Sequence, residues 1–175
     1  VLEVVLMGRY PHLTTFGIES PTDLGYAADA LAATGTLDLA ARSFTTLSGG
    51  EKQRVVIASA LAQLYTADET EPGSKVLLLD EPTASLDLAY QLEIASLIGD
   101  LNATGIAILI STHDLTLAAS VCRDLVLLRD GRIAAAGPTE AVLTPETVGA
   151  FYDVEADIRR HPASHQLTVV PLARR

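Results

Sequence analysis

Two rhythms of hydrophobic and polar positions divide the chain. Up to Tyr65 the apolar residues recur at helical spacing. From Val76 onward, short continuous apolar runs alternate with helical stretches. Leu2, Val5 and Leu6, with one acid at Glu3, predict a helix over Val1–Met7. Gly8 ends it, and Gly8–Leu13 follows as a breaker-rich loop. Leu24, Ala27, Ala28 and Leu31 predict the inner face of an amphipathic helix over Pro21–Ala33. Leu37–Ala41 reads as a short helix and Arg42–Thr46 as a linker. Gly50–Tyr65 reads as a longer helix burying Val55, Ile57, Ala58 and Leu61. Thr66–Ser74, polar and acidic with Pro72-Gly73, predicts a surface loop.

Beyond it, Val76–Leu79 is an unbroken apolar run, the pattern of a parallel strand covered on both faces. A helix is expected over Leu88–Leu101 with Leu92, Ala95, Ile98 and Leu101 inward. A second buried strand follows at Ile106–Ile110, and a helix at Leu115–Cys122. Asp124–Leu128 reads as a third strand, with Asp130-Gly131 turning into Arg132–Ala136 as a hairpin. Pro138–Leu143 and Pro145–Tyr152 predict two short helices, and Leu167–Val170 an edge strand before Pro171. Strands alternating with helices predict an α/β fold with a parallel sheet, preceded by an all-helical lobe. The expected division is a helical subdomain over 1–49, a core over 50–158 and an extension over 159–175.

Composition narrows the function classes. At 175 residues the chain is long enough to bury a sizeable core. No apolar run approaches a membrane span. A net charge of −10 argues against a nucleic-acid partner, whose footprint would be basic. The basic pairs Arg159-Arg160 and Arg174-Arg175 read as solvated. The single cysteine, Cys122, lies in an apolar helical pattern, reads as core, and fits a reducing compartment. The start, Val1-Leu2-Glu3-Val4-Val5, has no signal-peptide character and no initiator Met; the expectation is a segment of a longer reading frame.

The candidate chemistry centres on Leu47-Ser48-Gly49-Gly50-Glu51-Lys52-Gln53-Arg54. Ser48 and Glu51 have capping-box spacing. Gly49 and Gly50 lack a Cβ, so a ligand can approach the backbone where first-turn N–H groups and the helix dipole favour a phosphate. The plainer reading is a capped helix and nothing more. Asp80-Glu81 follow the strand at Val76–Leu79, the end of a parallel sheet where ligands bind. Asp80 suits Mg²⁺, which takes few carboxylates plus phosphate oxygens, and Glu81 suits orienting and deprotonating a water. A solvated, helix-capping loop is the alternative. His113 ends the strand at Ile106–Ile110 and is expected near the two carboxylates, in reach of a phosphate or an attacking water; an isolated His is otherwise structural. Asp87 reads locally as the cap of the helix at Leu88.

Taken together, these stretches resemble the ATP-binding subunits of ABC transporters over nearly the whole chain. Leu47–Glu51 matches the family's signature motif and Val76–Glu81 its Walker B strand. The resemblance implies a P-loop NTPase core with a parallel sheet, lacking its amino-terminal part, plus a helical lobe. It assigns Glu81 as catalytic glutamate, His113 as switch histidine, Ser85 and Asp87 to the D-loop, and Asp80 to Mg²⁺. Ser48, Gly49, Gly50 and Glu51 would serve a nucleotide bound by the partner subunit. Val5–His12, Arg160-His161-Pro162 and Val169-Val170-Pro171 are similar to the importers of iron-siderophore, haem and cobalamin type. That group implies ATP and Mg²⁺ as cofactors, and a homodimer beneath a membrane permease fed by a substrate-binding protein. It also implies a cytoplasmic, peripheral position on the inner face of the membrane, with Gly8–His12 and the helical lobe meeting the permease.

One departure decides the expectation for this polypeptide. The Walker A loop, G-x-x-x-x-G-K-[ST], does not occur. The two lysines, Lys52 and Lys75, follow no such loop, and the Q-loop glutamine and adenine-stacking aromatic are absent too. The isolated chain is therefore expected to bind and hydrolyse ATP negligibly. Without the Walker A strand, which in the family lies between the strands matching Ile106–Ile110 and Leu125–Leu128, two buried edges lack a partner. The sheet is then expected to re-pair, or to take a strand from another chain. A non-catalytic module docking on a full-length ABC ATPase is the second reading. A DNA-repair or chromosome-type ABC ATPase is the third, disfavoured because no heptad run occurs.

Overall fold

The structure, a computed structural model, describes residues 1–13, 17–66 and 75–174. The predicted loop at Thr66–Ser74 therefore lies, apart from exposed Thr66, outside the described residues, as does Arg175. The chain forms two compact units, Val1–Ser111 and Thr112–Arg175.

In the first unit, helices α1 (Leu2–Leu6), α2 (Pro21–Ala33) and α3 (Gly49–Leu64) pack on one another. α2 starts where the sequence demands. Ser20 accepts from the Asp23 N–H at 3.2 Å, the Asp23 carboxylate accepts from the Ser20 N–H at 2.9 Å, and Pro21 opens the first turn. Val5, Ala27, Ala30, Leu31, Val55, Ile57, Ala58 and Leu61 form its core, with alanines letting the helices approach. Gly8–Leu13, expected as a loop, is mostly a 3₁₀ helix over Met7–His12. Further 3₁₀ turns occupy Leu37–Leu39 and Phe44–Thr46.

A βαβ unit follows: β1 (Val76–Asp80), α4 (Leu88–Ala103) and β2 (Ala107–Ser111). β1 and β2 pair parallel, with Val76 opposite Ala107 and Asp80 opposite Ser111. Contrary to the expected cover on both faces, the pair is packed on one face only. Leu77 and Leu79 are buried, whereas Leu78 is 67% and Leu109 64% exposed. A two-stranded pair that α3 and α4 contact buries alternate residues only. Two helix faces are corrected as well. Leu24 and Leu92 are exposed, because α2 turns Asp23, Ala27, Ala30 and Leu31 inward and α4 turns Ile94, Leu97, Ile98 and Leu101.

The second unit holds α5 (Leu115–Val121), β3 (Asp124–Arg129), β4 (Arg132–Pro138), α6 (Thr139–Val142), α7 (Pro145–Tyr152), β5 (Val154–Arg160) and β6 (Leu167–Arg174). β3 and β4 form the expected antiparallel hairpin, and positive φ at Asp130 (52°) and Gly131 (71°) gives the turn the twist of its strands. The strand read at Asp124–Leu128 thus pairs antiparallel, and the parallel sheet among the described residues has two strands. β6 runs through Pro171 rather than stopping before it. The register shifts between Glu155 and Ala156, opposite Pro171, which places the residue without an N–H at an irregularity. Its partner β5 escaped the sequence reading, although Val154, Ala156 and Ile158 alternate with charges. Cys122 is half-buried, and burial pushes its thiol upward.

Candidate functional site

The capping box at the start of α3 forms as the spacing requires. Ser48 is the N-cap; its hydroxyl accepts from the Glu51 N–H at 3.3 Å, and the Glu51 carboxylate accepts from the Ser48 N–H at 2.7 Å. The Ser48 N–H, then its hydroxyl, hold the Glu51 carboxyl below the usual carboxylate range, with smaller help from the Arg42 and Arg54 charges. The box satisfies the N-cap and third-position donors. Helical geometry leaves the N–H groups of Gly49 and Gly50 without a carbonyl inside the helix.

The two glycines differ in what surrounds them. Gly49 is exposed. Gly50 is buried, and a Cβ there would lie 2.2 Å from Cδ1 of Tyr90. The sequence reading reserved that space for a ligand; the ring of Tyr90 takes it. Gly49 faces Leu86, whose Cδ2 lies 3.4 Å from where a Cβ would be. The structure thus brings the glycine turn against the loop that leaves β1, which spacing in sequence could not foretell.

That loop is tightly built. The Glu81 N–H donates to the Ser111 carbonyl at 2.9 Å and extends the parallel ladder by one rung beyond Asp80. Glu81 has φ 47° and Ser85 φ 62°, left-handed values that cost a non-glycine residue energy. Turns from Ala84 N–H to Glu81 carbonyl (3.0 Å) and from Leu86 N–H to Thr83 carbonyl (3.2 Å) hold them, over buried Pro82 and Thr83. Asp87 caps α4, accepting from the Tyr90 N–H at 3.1 Å, as read locally.

Asp80 stands exposed at the carboxyl end of β1, and the Ser111 hydroxyl donates to its Oδ1. Sequence reasoning missed Ser111, since only strand register makes the two neighbours. No group of three or more His, Cys, Asp or Glu able to hold a metal occurs among the described residues. One carboxylate beside a hydroxyl fits Mg²⁺ whose remaining ligands are water and phosphate, and does not form an all-protein cage. His113 is exposed and belongs to the second unit, next to Asp114, which caps α5 by accepting from Thr116 and Leu117 N–H groups at 2.8 and 3.1 Å.

At the other end of α3 lies a second feature. Arg9, placed by the sequence in a loop, is 4% exposed. Its Nε donates to Asp23 at 2.9 Å, and its Nη1 to the Ala62 and Tyr65 carbonyls at 2.5 and 2.6 Å, capping the last turn of α3. Its guanidinium carbon lies 4.8 Å from the centre of the Tyr26 ring. The Ser20 hydroxyl and N–H, then Arg9, hold the Asp23 carboxyl down at about 2. Arg9, His12, Leu13, Ser20, Asp23 and Tyr26 line a cavity of about 350 Å³.

Comparison with known proteins matches residues 22–99 to the family profile described as SbcC/RAD50-like, Walker B motif. The cobalamin import ATP-binding protein BtuD of Halobacterium salinarum is 44% identical over 173 residues, spanning 98% of this chain and 41% of its own length. The hemin import ATP-binding protein HmuV of Gloeobacter violaceus is 44% identical over 172 residues, spanning 98% of this chain and 61% of its own. A solved metal-chelate type ABC transporter in an inward-facing conformation superposes with a TM-score of 0.85 at 33% identity, covering 98% of this chain and 66% of that one. The chain therefore spans about two fifths to three fifths of the length of the relatives it matches.

Proposed function

We propose that this chain, which belongs to the ABC ATPase family, supplies the signature half and the Walker B half of nucleotide sites in an importer of iron-siderophore, haem or cobalamin type. The observation that carries the reading is the start of α3, where exposed Gly49 sits within a completed Ser48–Glu51 capping box, beside the loop from Asp80 and Glu81. In the same reading, residues 1–49 act as a helical subdomain, 50–158 as the nucleotide-facing core and 159–175 as an extension.

The residue roles are those the family resemblance implies, and the chemistry of the side chains supports them. Ser48, Gly49 and Gly50 would offer hydroxyl and amide donors to the phosphates of a nucleotide held by a second ABC ATPase subunit, with Glu51 fixing the turn. Asp80 would hold Mg²⁺ through one carboxylate oxygen, leaving the other to the Ser111 hydroxyl. Magnesium, when bound, neutralises charge on the transferring phosphoryl group. Glu81, its backbone fixed by the rung to Ser111, would orient a water and accept its proton. His113 would contact the terminal phosphate, and Ser85 and Asp87 would form the D-loop. Gly8–His12 and the cavity beside Arg9 would meet the membrane permease, itself fed by a substrate-binding protein; this implies a cytoplasmic, peripheral subunit. Crosslinks from Arg9 and Tyr10 positions to the permease are the expected result, and their absence in an assembled transporter would remove that contact.

No G-x-x-x-x-G-K-[ST] motif occurs in these 175 residues, which favours a second reading of the isolated chain, a non-catalytic partner docking on a complete ABC ATPase. Calorimetry of the purified chain with ATP and Mg²⁺ tests the shared premise. The expected result is no binding heat at micromolar nucleotide and no Mg-dependent turnover. Micromolar binding would mean that other residues rebuild the phosphate cradle. When a Walker A-bearing subunit is added, turnover that falls about 100-fold or more with Glu81→Gln in this chain supports the catalytic reading. Association without any effect of Glu81→Gln supports the docking reading.

A further inference from the structure

We infer that Tyr90 is a positioning residue that fixes the phosphate-facing turn at Ser48–Gly50 to the loop leaving the Asp80–Glu81 carboxylates. The inference rests on the signature reading proposed above. Its ground is the fit between two helices. A Cβ on Gly50 would lie 2.2, 2.5 and 2.8 Å from Cδ1, Cγ and Cε1 of Tyr90, so the ring occupies the volume any other side chain at 50 would need. Gly50 is buried and Tyr90 half-buried, as expected for an aromatic ring closed over a glycine.

Other contacts hold the same seam. Leu86 packs on Gly49. One turn further along, Arg54 of α3 pairs with Glu93 of α4 at 3.2 Å, while the Arg54 Nε is buried with no hydrogen-bond partner. Packing thus keeps the Arg54 side chain in place although one of its donors goes unpaired. Tyr90 is also tied to the loop through its own N–H on Asp87, and neighbouring Gln91 donates from Nε2 to the Leu86 carbonyl at 3.1 Å. Seating the ring therefore sets two things together: the direction of the Gly49 and Gly50 amides, and the strained path from Glu81 through Ser85. A nucleotide reaching the turn would meet donors whose aim depends on a side chain forty residues away in sequence.

Amide hydrogen exchange on the 175-residue chain, without nucleotide, tests the role. Tyr90→Ala is expected to speed exchange of the Glu51, Lys52 and Leu86 amides about tenfold or more, ahead of amides in α2 and β3. Tyr90→Phe is expected to keep wild-type rates, because the ring and not the hydroxyl fills the space. Gly50→Ala, which must displace the ring, is expected to reproduce the Tyr90→Ala pattern. Ile98→Val, a core trim further along α4, is the control that shows general weakening. Rates within about twofold of wild type in Tyr90→Ala would overturn the inference. So would acceleration spread evenly over both units, or failure of Tyr90→Phe to restore protection. If Tyr90→Ala does not fold, Tyr90→Leu and Gly50→Ala decide on the same amides. No nucleotide takes part, so a null result here leaves the signature reading standing, and the calorimetric and turnover results bear on that reading alone.

Discussion

Arg9 and Asp23 show how much one buried pair can organise. Their ion pair at 2.9 Å joins the 3₁₀ turn after α1 to the first turn of α2, and the guanidinium Nη1 closes the last turn of α3. Asp23 also completes its own helix cap. Removing the carboxylate strands a buried cation, so Asp23→Ala should cost about 3–5 kcal/mol in urea denaturation. The acid limb has a definite sign. The folded carboxyl titrates at about 2, below its ordinary 3.8, so its contribution is complete above about pH 5 and is lost as pH falls toward 2. The stability gap between wild type and Asp23→Asn should therefore shrink from about pH 5 to about pH 2, and a constant gap would contradict the pairing.

At the scale of the element, α3 joins both features. Its first turn holds the glycine turn and its last turn is closed by Arg9, at opposite ends of a helix of 16 residues and about 24 Å by helical rise. Ser48→Ala removes the cap hydroxyl that the Glu51 N–H needs, and should lower stability by about 1 kcal/mol. Glu51→Gln retains an acceptor for the Ser48 N–H and should cost less. Equal losses in thermal melts would mean that the charge, and not the reciprocal box, matters. The seam with α4 lies on the same helix, and there Gly50 is needed for an aromatic ring of its own chain.

For the molecule as a whole, the apolar surface on the parallel pair stands out. Val76, Leu78 and Leu109 are exposed together on neighbouring strands of a βαβ unit, a face that in solution favours association. Replacing Leu78 and Leu109 by Lys should leave the melting temperature within a few degrees and reduce self-association in sedimentation. A large drop in melting temperature with no change in association would show that the face is already covered. The net charge of −10 works the other way, keeping copies apart as salt is lowered.

Most of the elements were legible because their causes are local. The caps at Ser48 and Asp87, the Asp130-Gly131 hairpin turn and the helix at Pro145–Tyr152 each depend on residues within one turn of one another. The glycine turn at Leu47–Glu51 and the run Val76–Glu81 stood out for the same reason, as short stretches of distinctive composition. What stayed hidden depends on contacts far apart in sequence. Ser111 reaches Asp80 through strand register, Arg9 finds the end of α3, and Tyr90 fills the space at Gly50. Leu78 and Leu92 were misplaced because periodicity shows that a face is apolar but not whether anything packs on it. The sequence by itself determined the elements, their caps and the chemical groups at their ends. Only the tertiary structure decided which of those groups meet, because packing and register are set by contacts between distant segments that no local pattern contains.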